Sequence, residues 1–218
     1  MNKFLSLILC LLLISCAENS DSNLINTDFI PDSAEVIFVS PSSEQLEKDL
    51  LEHEATFNSG DLKDLTNESK DLLKYIKSEK QSILYLDGDS IGSKHIVLII
   101  QKDSTSLILD SIQNKQVETF KVEDIQYKKV KLENSEFYQR DIANFSIFSE
   151  SKHAIVQAKR SNKSNSQEFQ KALDASDPRK TSLIYSNMNV MFFSEMFSEI
   201  DLPKKNRNWN VLELHANS

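Results

Sequence analysis

Six short apolar runs, each rich in β-branched and aromatic residues, occupy the middle of the chain between residues 82 and 148. Each run has five to eight residues, a length that suits a strand better than a helix. The first two runs are separated by Asp87-Gly88-Asp89-Ser90-Ile91-Gly92, whose aspartates and glycines are typical of a hairpin loop. The pattern therefore predicts an antiparallel sheet built from residues 82–86, 95–101, 118–122, 125–132, 137–142 and 144–148.

Segments with helical spacing flank these runs. Ser42 and Gln45 have the spacing of a capping box, and Leu46, Leu50 and Leu51 follow as one apolar face. Similar patterns predict helices over 62–77 (interrupted near Thr66), 152–159, 167–173 and 190–200, and strands over 34–40, 181–185 and 209–214. The expected fold class is therefore α+β, a mainly antiparallel sheet of short strands flanked by helices, after a cleaved signal peptide and a flexible tether.

The run 125–132 changes its alternation phase along its length. Ile125 and Tyr127 share one phase, whereas Val130 and Leu132 share the other. Since alternate residues of a strand point to opposite faces, the change predicts a turn or bulge at the lysine pair between them.

The first 15 residues are typical of a secretory signal peptide. Lys3 supplies a positive start, and the apolar run 4–14 is too short to cross a bilayer core of about 30 Å as a helix. Leu13-Ile14-Ser15-Cys16 closes this segment and resembles the lipobox of bacterial lipoproteins. The resemblance implies that a lipid is attached to the sulfur of Cys16 and that residues 1–15 are removed. The alternative is an ordinary signal peptide in which Cys16 is incidental.

A polar segment without periodicity follows and predicts a flexible tether over residues 16–28, long enough to extend roughly 20 Å. The acyl chains that the resemblance implies on Cys16 would anchor the protein almost permanently, since each buried methylene contributes about 0.8 kcal/mol. Ala17 follows the cysteine. By resemblance to lipoprotein sorting in Gram-negative bacteria, the lack of an aspartate there implies the outer membrane.

Charge and cysteine content exclude several classes of protein. Without residues 1–15 the chain has 24 basic and 33 acidic residues, a net charge of −9. We therefore expect no nucleic-acid partner, and we interpret the basic runs 128–131, 159–160 and 204–207 as solvated faces without interleaved stacking aromatics. Cys16 is the one cysteine left, which excludes a disulfide scaffold. The expected partners are the membrane, through the lipid anchor, and another envelope protein.

Sequence motifs for cofactors and metals do not occur. The three glycines have neither dinucleotide-binding nor P-loop spacing, and Phe57 stands where a second histidine would complete a zinc motif that begins at His53. The sequence thus predicts no cofactor, metal ligand or catalytic residue. One alternative stays open, because Asp87 and Asp89 at the end of a strand could hold Mg²⁺ in a metal-dependent hydrolase or nuclease. The same two residues are also typical of a plain hairpin turn.

Four tripeptides resemble the Asp-Ser/Thr-apolar acceptor for periplasmic O-glycosylation in some Gram-negative bacteria. They are Asp32-Ser33-Ala34, Asp89-Ser90-Ile91, Asp103-Ser104-Thr105 and Asp110-Ser111-Ile112. The composition of the chain predicts fewer copies than this. The resemblance implies sugar attachment at the exposed members of the set Ser33, Ser90, Ser104 and Ser111.

Three segments, 29–36, 145–151 and 182–185, resemble long bacterial envelope proteins that carry a domain of unknown function. This resemblance implies a strand-helix-sheet unit, chains that extend well past this length and no catalytic residue. We therefore expect residues 29–218 to form one α+β domain that is incomplete at its C-terminus.

These inferences predict a membrane-anchored envelope lipoprotein that faces the periplasm or the cell surface. We expect it to act by binding or as an assembly component rather than by catalysis. If the alternative hydrolase or nuclease were correct, metal-dependent cleavage would be lost in Asp87→Asn.

Overall fold

A nine-stranded sheet forms the centre of the computed structural model, which describes residues 29–31, 33–34, 36–53, 60–88, 94–102, 112–132, 134–158, 167–186 and 209–214. The strands are β1 (Val36–Ser40), β2 (Ser82–Gly88), β3 (Lys94–Gln101), β4 (Gln116–Val122), β5 (Ile125–Lys131), β6 (Glu136–Ile142), β7 (Phe145–Ser149), β8 (Ser182–Ser186) and β9 (Trp209–Glu213). Their order is β4-β5-β6-β7-β3-β2-β1-β8-β9, and all neighbours are antiparallel. The predicted antiparallel sheet of short strands is confirmed.

Four helices accompany the sheet in the described part of the chain: α1 (Ser43–Glu52), α2 (Gly60–Tyr75), α3 (Lys152–Gln157) and α4 (Gln167–Ala175). Ser42 caps α1 as expected, since its hydroxyl accepts a hydrogen bond from the backbone N–H of Gln45 at 3.0 Å. The α2 helix continues through Thr66, so the predicted interruption there is wrong. Ser69 donates to the Thr66 carbonyl at 3.0 Å, which satisfies its hydroxyl within the helix.

Both faces of the sheet are buried along its central strands, such as β1, β3 and β7. The first face packs against α1 and α2, through a cluster that includes Phe38, Leu46, Leu72, Leu84, Leu98 and Phe148. The second face packs against α3 and α4, through a cluster that includes Ile37, Tyr85, Ile99, Ile147, Ile155 and Phe169. The helices therefore form a layer on each side of one sheet, an α+β-like arrangement.

Burial on two faces explains the phase change in β5. The pairing of β4 with β5 is continuous from Val122↔Ile125 to Gln116↔Lys131, so the predicted bulge is wrong. Tyr127 is buried in the cluster on the second face, and Val130 is buried in the cluster on the first. An apolar residue in either phase is therefore accommodated without any irregularity in the strand.

The apolar face of α1 is narrower than the sequence indicates. Leu46 and Leu50 are buried, whereas Leu51 is 46% exposed. Leu46 and Leu50 are four residues apart and lie on the same side of the helix, while Leu51 is about 100° further round. The expectation that all three leucines share one buried face is wrong for Leu51.

Several predictions lie outside the described residues: the signal peptide, Cys16, the tether and the helix over 190–200. The predicted last strand does lie within them, and β9 pairs with β8 from Trp209↔Ser186 to Glu213↔Ser182. Continuation of the domain beyond Ser218 stays a prediction. No helix in the described ranges is long and apolar enough to cross a membrane.

Candidate functional site

Asp87, the first of the two aspartates considered as metal ligands, is the last residue before Gly88 at the end of β2. Its side chain is 8% exposed, and its Oδ1 accepts a hydrogen bond of 2.6 Å from the hydroxyl of Ser33. The pair Asp87↔His95 belongs to the register of β2 with β3. Asp89 lies outside the described residues, so the second half of the proposed pair is not placed.

The contact with Ser33 belongs to a segment that we call the N-terminal strap, residues 29–31, 33 and 34. Phe29 and Ile30 are buried against the second face, where the Phe29 ring lies 5.5 Å from that of Phe145. The hydroxyl of Tyr85 donates to the carbonyl of Phe29 at 3.4 Å. Burial, with a smaller effect from the charge of Asp87, raises the pKa of Tyr85 well above its usual value. Asp87 and Tyr85 thus fasten the strap to β2, where the sequence pattern indicated only a turn or metal ligands.

Of the four serines in glycosylation tripeptides, only Ser33 lies within the described residues. It is exposed and occupies a turn in which Ala34 N–H donates to the Pro31 carbonyl at 3.1 Å. Ser90, Ser104 and Ser111 lie outside those residues. A sugar on Ser33 would replace the hydroxyl proton that it donates to Asp87, so modification and this hydrogen bond exclude each other.

A small polar cleft of about 280 Å³ lies at the start of β3, the strand that pairs with β2. Glu68, Lys94, His95 and Glu150 line it. Burial, followed by the charges of Glu68 and Asp71, raises the pKa of Glu150. Across the described ranges, no group of three or more histidine, cysteine or carboxylate side chains has the arrangement of a metal site. The sequence did not indicate this cleft, because Glu68 is on α2 and Glu150 follows β7, far away along the chain.

On the second face of β4, β5 and β6, which we call the outer strands, aromatic rings lie next to cationic side chains. We call this surface the aromatic–cation face; it consists of Phe120, Tyr127, Lys129, Tyr138, Arg140 and Lys152. The ring of Phe120 stacks on Tyr127 at a centroid distance of 5.4 Å and meets the edge of Tyr138 at 6.0 Å. The ammonium group of Lys152 lies 4.8 Å from the centroid of Phe120, within the range of a cation–π interaction. Phe120 and Tyr138 are half-buried, whereas Lys152 is exposed.

Arg140 joins the aromatic–cation face to helix α3. Its guanidinium lies 5.7 Å from the ring centroid of Tyr127, and Nη1 donates to the Ala158 carbonyl at the end of α3 at 2.9 Å. A cation at a helix C-terminus is favourable because the last carbonyls carry partial negative charge. Arg140 thereby holds α3 against the outer strands.

The interpretation of residues 128–131 as a solvated face is correct only in part. Lys129 lies 5.7 Å from the ring centroid of Tyr138 and pairs with Glu136 at 2.7 Å, and its side chain is only 23% exposed. The hydrogen bond between the two side chains is the main cause that raises the pKa of Lys129 and lowers that of Glu136. Tyr138, on the neighbouring strand β6, supplies an aromatic ring that the run 128–131 itself does not contain.

On the opposite face of the outer strands, Asp141 is the centre of a polar network. Its carboxylate accepts hydrogen bonds from Ser146 at 2.6 Å, Gln139 at 2.9 Å and Lys128 at 3.0 Å, and Lys102 lies 3.4 Å away. Partial burial would raise the pKa of Asp141, but these partners outweigh it and lower the pKa to about 2. The ionised carboxylate therefore stabilises the folded state.

Asp141→Asn is expected to be less stable than the native protein by about 1–2 kcal/mol at pH 7, a value reduced for the exposure of the ion pairs. A lowered pKa contributes stability above the unfolded value near 3.8 and loses it as the pH falls through about 2. The difference should thus shrink between pH 4 and pH 2, as measured by urea unfolding. Asp124→Asn, in an exposed turn, removes the same charge and should have little effect. A stability difference between Asp141→Asn and the native protein that stays constant from pH 4 to pH 2 would contradict the prediction.

No family model matches this chain, and no curated protein or solved structure matches it.

Proposed function

We propose that this protein is a lipid-anchored lipoprotein in the outer membrane of a Gram-negative bacterium, where it acts as a binding or assembly component. The observation that carries the proposal is the sequence of Leu13 to Cys16, which ends an apolar run of signal-peptide length and directly precedes a polar segment. Acylation of Cys16 gives the protein its attachment to the membrane. The acyl chains supply far more apolar burial than a single chain, which binds only reversibly.

The structure of the strap supports this arrangement. The tether that we propose over residues 16–28 directly precedes Phe29 and Ile30, and these two residues are buried in the domain. The hydrogen bond from Ser33 to Asp87 fixes the same segment to the end of β2. A lipid anchor that precedes the strap is therefore connected to the sheet through residues that are packed in the core.

The binding role is assigned to the outer strands. The aromatic–cation face leaves Phe120 and Tyr138 half-buried next to the exposed Lys152. Aromatic side chains bury a large area at little conformational cost, and they are enriched where proteins meet partners. The outer strands also lie far along the sheet order from β1, which directly follows the strap.

Cys16→Ser tests the anchor. We expect the variant to lose metabolic labelling with palmitate and to disappear from the outer-membrane fraction, because the thiol is the lipid acceptor. Cys10→Ser is the matched control, since Cys10 lies inside the run that is removed, and it should keep both properties. Palmitate labelling or outer-membrane recovery of Cys16→Ser equal to that of the control would contradict the proposal.

A further inference from the structure

Among the described strands, β4 is paired on one side only, with β5. The turn between β4 and β5 has two residues, Glu123 and Asp124, with φ of 48° and 65°, as in a type I′ hairpin. In such a hairpin the flanking residues Val122 and Ile125 form a hydrogen-bonded pair, and hydrogen-bonded and non-bonded pairs then alternate along the strands. The N–H and C=O groups of Val117, Thr119 and Lys121 therefore point away from β5. In the described part of the chain no strand pairs with that side of β4, which is the end of the sheet.

The side chains of this edge are also incompletely covered. Val117 is 48% exposed, one of two large apolar side chains among the described residues with such exposure. Residues 116–119 are all exposed, although they lie in a regular strand. A flat strand with unpaired backbone groups is a template for the addition of another strand. At the opposite end of the sheet, all five residues of β9 are half-buried.

We infer that β4 pairs with β4 of a second copy of this chain, in an antiparallel register centred on Thr119. A two-fold axis perpendicular to the sheet places Thr119 opposite its own copy and Val117 opposite Lys121. The three outward-pointing residues of each chain then exchange roughly six N–H···O=C bonds. The stem of Lys121 from each copy covers the exposed Val117 of the other, as long charged side chains do over apolar surface.

Charge complementarity favours this register. On the second face it places Glu118 of one copy opposite Phe120 of the other, in a non-hydrogen-bonded pair whose Cβ atoms are about 4.5–5.5 Å apart. The ammonium group of Lys152 already lies 4.8 Å from the centroid of the Phe120 ring. Each Lys152 therefore meets the Glu118 carboxylate of the other copy, and the contact occurs twice. The aromatic–cation faces of the two copies become continuous across the joined sheets.

Disulfide trapping tests the register. The purified full-length chain carrying Cys10→Ser and Cys16→Ser has no cysteine, so the result does not depend on the lipid anchor of the proposed function. Thr119→Cys in this background is expected to form a covalent dimer on mild oxidation, because the two Cα atoms would be about 5.5 Å apart. Lys121→Cys is the matched control. The two Cα atoms at position 121 would be roughly 14 Å apart in the paired strands, so this variant should form no covalent dimer.

Two further changes separate strand pairing from random collision. In the Thr119→Cys chain, Lys121→Pro removes a backbone N–H that points away from β5. The fold should therefore be kept while the cross-link is lost. The control Lys121→Ala should retain the cross-link. Lys152→Glu should reduce the cross-link, and Glu118→Lys added to it should restore the yield. Circular dichroism verifies that each variant is folded.

Absence of a Thr119→Cys dimer would overturn the inference, as would equal cross-linking of Lys121→Cys. Survival of the cross-link in the Lys121→Pro variant would do the same, since it would show that backbone pairing is not needed. Each of these results is independent of the palmitate labelling of Cys16.

Discussion

Phe148→Ala is expected to lower the free energy of unfolding by about 3–5 kcal/mol, the range for deletion of a buried aromatic side chain. Phe148 is fully buried on β7, opposite Leu98 of β3. Its ring contacts the edge of Phe137 at a centroid distance of 6.3 Å. The substitution removes apolar burial and leaves a cavity at the centre of the first face, which rigid neighbouring strands fill only in part. Denaturant unfolding followed by circular dichroism measures the loss.

Leu51→Ala is the control for this prediction. Leu51 is 46% exposed, and alanine is the best helix former, so the change on α1 should alter the free energy of unfolding by less than about 0.5 kcal/mol. A loss of less than about 1 kcal/mol for Phe148→Ala, or equal losses for the two variants, would show that the first face is not packed as described.

Ile30→Ala is expected to cost about 2–5 kcal/mol, the range for truncating a fully buried isoleucine to alanine. Ile30 has no exposed surface, although it lies in the strap before the first regular element. Its side chain belongs to the cluster on the second face. If the strap is part of the core, the loss should appear in global unfolding by denaturant and not only in faster proteolysis near residue 30.

Ser33→Ala is the matched change in the same strap. It removes the hydroxyl that donates to Asp87 and leaves the core contacts of Ile30 intact. We expect a loss of about 1–3 kcal/mol, because a largely buried carboxylate oxygen loses its donor. An Ile30→Ala protein with native stability but rapid cleavage at the strap would show that the strap frays independently of the domain. That result would also remove the firm attachment point that we assign to the lipid anchor.

Strand positions could be predicted from local patterns because alternation, turn residues and β-branched content act over a few neighbouring residues. The runs 82–86 and 95–101 correspond to β2 and β3, and the predicted cap of α1 at Ser42 is confirmed. The bulge in β5 was wrong for a reason that no local pattern contains. A phase change means a bulge when one face of a sheet is buried, but it has no such meaning when both faces are covered.

The candidate site depended far more on tertiary structure. Asp87 was found from the sequence, yet its partner Ser33 lies 54 positions earlier, so its role in fastening the strap could not be predicted. The alternation of Phe120, Tyr138 and Lys152 arises because β4, β6 and α3 meet on the second face.

The sequence by itself determined the local elements of the described domain, namely the antiparallel strands and most of the helices. Each depends on periodicity or on adjacent residues, and so it is encoded locally. Only the tertiary structure decided which strands form the edges, and which polar residues face each other across strands. Those outcomes depend on strand order and on coverage of both faces, which are properties of contacts between distant segments. The position of Val117, Thr119 and Lys121 on an edge that no described strand pairs with follows from that order.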